Sequence, residues 1–306
     1  MSNKNIIIIT ITAVVFCIIA YFCYRFIAGW NQGNIEDAKN QERKAYQEQT
    51  ETLKGEIVSL QEKINELKGQ TSSRDQIEKV FGKGSSSLSL VERNITYEEI
   101  ERQIIAFFAY LDEKGYVEEH KLTGSTYNQY ESAVNDLSAK VPIIAGETEN
   151  LYNLSHNIAH FYRVLGKERL FLVSDILKNE YDIIEYAMKA FFIWYTYEND
   201  TERRIKGRPS IQVLYDYAGF FLTTFGGKSY LFRRDSNIRI LTTFYCVLII
   251  DKANDKNLNP NGIDIRPYIK TTFNDITDYM RLIDQDEYLT VLENLKVKYK
   301  QKTLVE

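Results

Sequence analysis

The sequence predicts an all-α protein: an N-terminal single transmembrane helix, a short coiled-coil stalk, then a multi-helix bundle domain. Three observations carry this. All four prolines (Pro142, Pro209, Pro260, Pro267) lie beyond residue 141, so the first 141 residues hold nothing that forbids long helices. Apolar residues recur at helical spacing through most of the remainder, with helix-capping signals at the breaks. No sustained run of period two, bounded by hairpin turns, is present.

Residues 1–30 form the anchor. Ile6 to Tyr24 (IIIITITAVVFCIIAYFCY) is a stretch of 19 residues without a charge. At 1.5 Å per residue it is just long enough for a hydrocarbon layer about 30 Å thick. Tyr21, Tyr24 and Trp30 gather at one end, where amphipathic rings favour the interface. A cleaved signal peptide fits less well, because Phe26 stands where a small residue should precede a cut after Ala28. Lys4 and the amino terminus, with no acid before the apolar run, favour an N-in anchor in the inner (cytoplasmic) membrane with the distal domain exported. Counting every Lys and Arg within 20 residues gives the opposite orientation.

Residues 31–69 form the stalk. With Ile57 and Ile64 at a, Tyr46, Leu53, Leu60 and Leu67 fall at d, a 3.5-residue seam that favours a parallel homodimer. Arg43 and Thr50 also fall at a and weaken the seam near the membrane. The competing arrangement is a solitary charged helix packed on its own domain. Residues 70–90 (QTSSRDQIEKVFGKGSSSLSL) are rich in Gly and Ser and predict a flexible linker, with one short helical turn around Ile77 to Phe81.

Residues 91–306 predict an α-helical domain of about seven or eight helices. Thr96 with Glu99, flanked by Ile95 and Ile100, makes a capping box with a hydrophobic staple, and Gly115 can end that helix. Further helices are expected at 126–140, 148–165 (stopped by Gly166), 168–197 (one helix or two in line), 210–225, 236–252, after Pro267, and 284–300. Asp284 with Glu287 repeats the capping-box pattern.

The chemistry-bearing motifs are few. His156 and His160 are four residues apart on one helix face, a spacing that can bind zinc. Asn157 follows the first of them where a zinc protease needs Glu, and the only other histidine is His120. Phe225-Gly-Gly-Lys-Ser229 lacks the first glycine of a phosphate-binding loop, since Leu222 takes that place; the glycine pair is expected to cap the preceding helix. Asn257 to Gly262 imitates the front of a calcium loop, but Tyr268 stands where the bidentate Glu is required, so a plain turn is expected. Cys246 lies in an apolar helix, and three cysteines build no disulfide framework.

Charge singles out one region. The whole chain has 38 Lys+Arg against 42 Asp+Glu, which argues against nucleic acid as a partner. Within 91–306 there are 27 basic and 32 acidic residues, yet between 200 and 245 eight basic residues face only four acids. Arg203, Arg204, Lys206 and Arg208, with Arg233 and Arg234, are therefore the expected partner-binding residues. The resulting expectation is a membrane-anchored, non-enzymatic scaffold or interaction protein presenting a helical domain to a protein partner, without a cofactor. The alternative is a helical ligand-sensing or metal-dependent enzymatic domain using His156 and His160. A third is a structural component that folds stably only with its neighbours.

Overall fold

The computed structural model describes residues 73–82, 85, 88–91, 95–144, 150–197, 206–279 and 281–302, and seven residues between 44 and 59. The chain divides into two units, 1–65 and 66–306. In the first, Lys44, Glu51, Thr52, Lys54, Gly55, Val58 and Ser59 are helical and exposed. In the predicted register they occupy b, c, e and f, the outward positions of a heptad. The seam residues themselves and Ile6 to Tyr24 lie outside the described residues. Among the described residues no helix is long and apolar enough to cross a membrane.

The second unit is all helical among its described residues. Residues 73–81 are helical. Eleven helices follow: α1 (Tyr97–Glu113), α2 (Tyr116–Glu119), α3 (Thr126–Ala139), α4 (Leu151–Ile158), α5 (His160–Asn179), α6 (Tyr181–Tyr195), α7 (Ile211–Thr223), α8 (Phe225–Phe232), α9 (Ser236–Asp255), α10 (Arg266–Asp278) and α11 (Gln285–Lys302). Their starts follow from side chains that satisfy the first orphan N–H groups. Thr96, Ser125, Asn150, Ser210, Thr224 and Asp235 each accept from the backbone N–H three residues on. Gly115 adopts φ 73° between α1 and α2, a conformation that suits glycine.

The core is organised by α9, which packs against α6, α7, α8 and α10. Ten of its residues are buried, from Ile238 through Phe244 and Val247 to Ala253, on all sides of the helix. That explains its β-branched, nearly non-amphipathic sequence: a helix apolar all round belongs in the interior. The α6 helix is similar, and pairs with α1 on its other side. The α10–α11 pair closes one flank and α3–α5 the other.

Several elements differ from the sequence expectation. The 70–90 stretch, expected to be a flexible linker, belongs in part to the core among its described residues. Ile77, Val80, Phe81 and Leu88 are buried there, and Phe81 stacks on Phe107 with ring centroids 5.7 Å apart. Apolar residues at i, i+3 and i+4 outweigh the surrounding Gly and Ser. The helix expected at 148–165 is interrupted at Ala159, and the one expected to start at 168 continues back to His160 through a kink at Gly166 (φ 76°, ψ 172°). The 168–197 stretch, expected as one helix or two in line, is two helices meeting at Glu180, whose buried carboxylate accepts hydroxyls from Tyr110 and Tyr116, both at 2.6 Å.

The glycine pair does not cap α7. Thr224 starts a new helix, and Gly226 and Gly227 form its first turn. A Cβ on Gly227 would stand 2.1 Å from the Phe220 carbonyl oxygen, and one on Gly226 would stand 2.7 Å from the Asn157 backbone. Glycine is required because α8 lies directly against the end of α7 and against α4.

Candidate functional site

Three clusters bear on function. The first is a buried ionic group that the sequence reading missed. On α6, Glu185 and Lys189 are one turn apart in a stretch, Ile183 to Trp194, that carries no other charge. Lys189 is 1% exposed. Its ammonium donates to Glu287 Oε2 at 2.6 Å, to Asp284, and to the Leu88 carbonyl at 3.2 Å, which uses all three protons. The other oxygen of Glu287 accepts from Ser89 Oγ and the Leu90 N–H, both at 2.6 Å. Burial works against the charge on Glu287, but Lys189 and Ser89 more than offset it and lower its pKa.

Glu185 completes the group from the other side. Its oxygens accept from the Ile283 and Asp284 N–H groups at 2.9 and 3.0 Å, just before α11. A carboxylate from one helix thus caps another, at the end of the dipole where negative charge is favoured. Burial nevertheless pushes Glu185 up to about 7 against these two hydrogen bonds. The Asp284/Glu287 pair, expected to form a capping box of its own, instead turns to Lys189. The assembly locks residues 88–90 to α6 and α11. The available sequence signal was two opposite charges at i and i+4 inside Ile183-Ile-Glu-Tyr-Ala-Met-Lys-Ala-Phe-Phe-Ile-Trp194.

The second cluster is the histidine pair. His156 and His160 face each other with ring centroids 6.5 Å apart, as the spacing requires. Arg163 lies alongside both rings: its guanidinium donates to His156 Nδ1 at 2.7 Å and reaches His160 Nδ1 at 3.4 Å. The Nε2–H of His160 then donates to Tyr217 Oη at 2.8 Å, and Tyr217 donates to the Leu137 carbonyl at 3.1 Å. Burial and the nearby guanidinium lower His160 to about 4, so the ring stays neutral. A cation here would meet a guanidinium and a protonated Nε2. Among the described residues no three His, Cys, Asp or Glu side chains converge as a metal site. Cys246 is buried, and burial pushes its thiol up, away from reactivity.

The third is the basic region. Arg203 and Arg204 lie outside the described residues. Lys206 is exposed while its backbone is fixed: Tyr127 Oη accepts from its N–H at 2.9 Å and donates to its carbonyl at 3.1 Å. Tyr130 donates to the Gly207 carbonyl at 2.7 Å. Arg208 turns inward instead, donating to the Tyr195 and Tyr197 carbonyls at 3.0 and 2.8 Å, where it caps the end of α6. Arg234 is likewise engaged, with Ser174 at 3.0 Å, Tyr230 Oη at 2.6 Å and the Tyr230 ring beneath it. Arg233 is exposed at the end of α8. Of the six expected contact residues, then, two hold the fold together, and two of the described ones present free charge to solvent.

At the calcium-like sequence the structure has a turn closed by a side chain. Asn259 accepts from the Ile263 N–H at 2.9 Å and donates to the Ile263 carbonyl at 3.1 Å. Compared with known protein families, curated proteins and solved structures, the chain matches none.

Proposed function

We propose that this chain is a membrane-anchored interaction protein: a single span at Ile6 to Tyr24 and a self-associating stalk present the helical unit to a protein partner. The observation that carries the reading is the order of segments, an uncharged 19-residue run, then heptads, then a helical unit with its own core. The contact region is the connection between α6 and α7, carrying Arg203, Arg204 and Lys206. The tyrosines of α3 support this assignment, because they fix the backbone of residues 206 and 207 while the Lys206 side chain stays in solvent. A fixed, exposed cation such as Lys206 suits an acidic protein surface, which it attracts at long range and orients at short range.

The test is charge reversal at Arg203, Arg204 and Lys206 together, leaving Arg208 untouched because it caps α6. Partner recovery in co-purification should be lost with helicity unchanged. Recovery of every partner at the wild-type level overturns the assignment. A reporter fused after Glu306, active on one side of the membrane only, tests the second part of the proposal: a cytoplasmic-membrane protein whose helical unit is exported.

A further inference from the structure

Among the described residues, seven of the fourteen large hydrophobic side chains left exposed lie on just three helices, α4, α5 and α8. Leu151 is 84% exposed and Phe232 73%, values at which a leucine and a phenylalanine have given up most of the stabilisation burial offers. They are arranged by helix geometry. On α8, Phe225, Lys228 and Phe232 follow i, i+3 and i+7, while Gly226, Gly227 and Leu231 are buried. On α4, Leu151 and Ile158 follow i and i+7 while Asn157 is buried; past the break at Ala159, α5 leaves Tyr162 exposed and His160 buried. The two helices pack closely: a Cβ on Gly226 would stand 2.7 Å from the Asn157 backbone, and Ile158 and Phe225 are the chain neighbours of these two residues.

The charges on this surface are mostly basic, with Glu168 and Asp235 the exposed acids at its margins. No acidic residue occurs from Leu151 to Lys167, or from Phe225 to Arg234, in a distal region that is net acidic. Arg163, Lys167, Lys228 and Arg233 are all exposed there. Exposed aromatic and aliphatic side chains interleaved with Lys and Arg on short helices match a surface that lies in the lipid interface. A second copy is the poorer occupant, since a two-fold contact would set cations against cations.

We infer that the α4–α5–α8 face docks on an anionic bilayer surface, with Phe232 and Leu151 entering the headgroup layer and Lys228 and Arg233 pairing with lipid phosphates. The surface is separate from the α6–α7 connection proposed above for the protein partner. The test is hydrogen exchange on the full chain assembled into nanodiscs of phosphatidylcholine alone or with phosphatidylglycerol. Residues 151–162 and 225–233 should exchange at least about threefold more slowly in the anionic discs, with α9 unchanged as the internal reference. Lys228→Glu with Arg233→Glu should erase the lipid dependence. Leu151→Ser with Phe232→Ser, both at exposed positions, should remove the protection without altering α9.

Equal exchange in neutral and anionic discs, in wild type and variants alike, overturns the inference. So does protection that disappears when each disc holds one copy, which would assign the face to self-association. A chain retained on neither kind of disc also contradicts it. Lost partner recovery with intact lipid protection, or the reverse, separates this inference from the protein-partner reading.

Discussion

Lys189 and Glu185 are one helical turn apart and do opposite things to stability. Lys189 is buried with every proton placed, so removing it leaves Asp284 and Glu287 as uncompensated charges. Lys189→Met should cost about 3–5 kcal/mol in urea unfolding of the 66–306 unit. Adding Asp284→Asn and Glu287→Gln to that variant should restore part of the loss. A loss below about 1 kcal/mol would mean the ammonium is not what neutralises those carboxylates. Glu185 is raised from 4.5 to about 7, chiefly by burial. A group whose pKa is raised by folding contributes stability below its unfolded value and loses it as pH rises through the folded one. Folding should therefore weaken by roughly 3 kcal/mol between pH 4.5 and 7 on account of Glu185. Glu185→Gln should flatten that slope and, because an amide keeps only one acceptor, cost about 1–2 kcal/mol at pH 5. An unchanged slope in the variant would assign the pH dependence to other groups.

At the scale of elements, the sequence was readable wherever one residue type answers one backbone need. Thr96, Ser210 and Asp235 cap the helices that begin after them. Pro142 follows the end of α3, and Pro267 sits in the first turn of α10, where its missing N–H costs nothing. What could not be read is what depends on a neighbour distant in sequence. Gly226 and Gly227 satisfy the local pattern of a helix end, and only the approach of Phe220 and Asn157 shows that they begin α8. Their requirement is steric: Gly227→Ala must push α8 away from α7 and should cost about 1–3 kcal/mol in the same unfolding measurement, against a few tenths if the α7–α8 corner were loose. Glu180, at the break between α5 and α6, is held by two tyrosines of α1 and α2 that no local rule reveals. The basic region shows the same limit, because Arg208 and Lys206 look alike in sequence until the Tyr195 and Tyr197 carbonyls claim one of them.

At the scale of the whole molecule, the boundary of the helical unit is the main revision. The sequence placed it at residue 91, but Ile77, Val80, Phe81 and Leu88 are core residues and Ser89 and Leu90 are tied to Glu287. A fragment 91–306 should be markedly less stable than 66–306, by several kcal/mol at about 25 cal/mol per Å² of apolar surface lost, and should aggregate more readily. Equal urea midpoints for the two fragments would return the 73–90 segment to the role of a tether.

The central claim is that Ile6 to Tyr24 anchors this chain in a bilayer. Alkaline carbonate washing of membranes from cells making the full chain, beside cells making a chain without residues 1–30, tests it most directly. The account predicts that the full chain stays in the washed membrane pellet while the shortened chain is released to the supernatant. Release of the full chain by carbonate would contradict it.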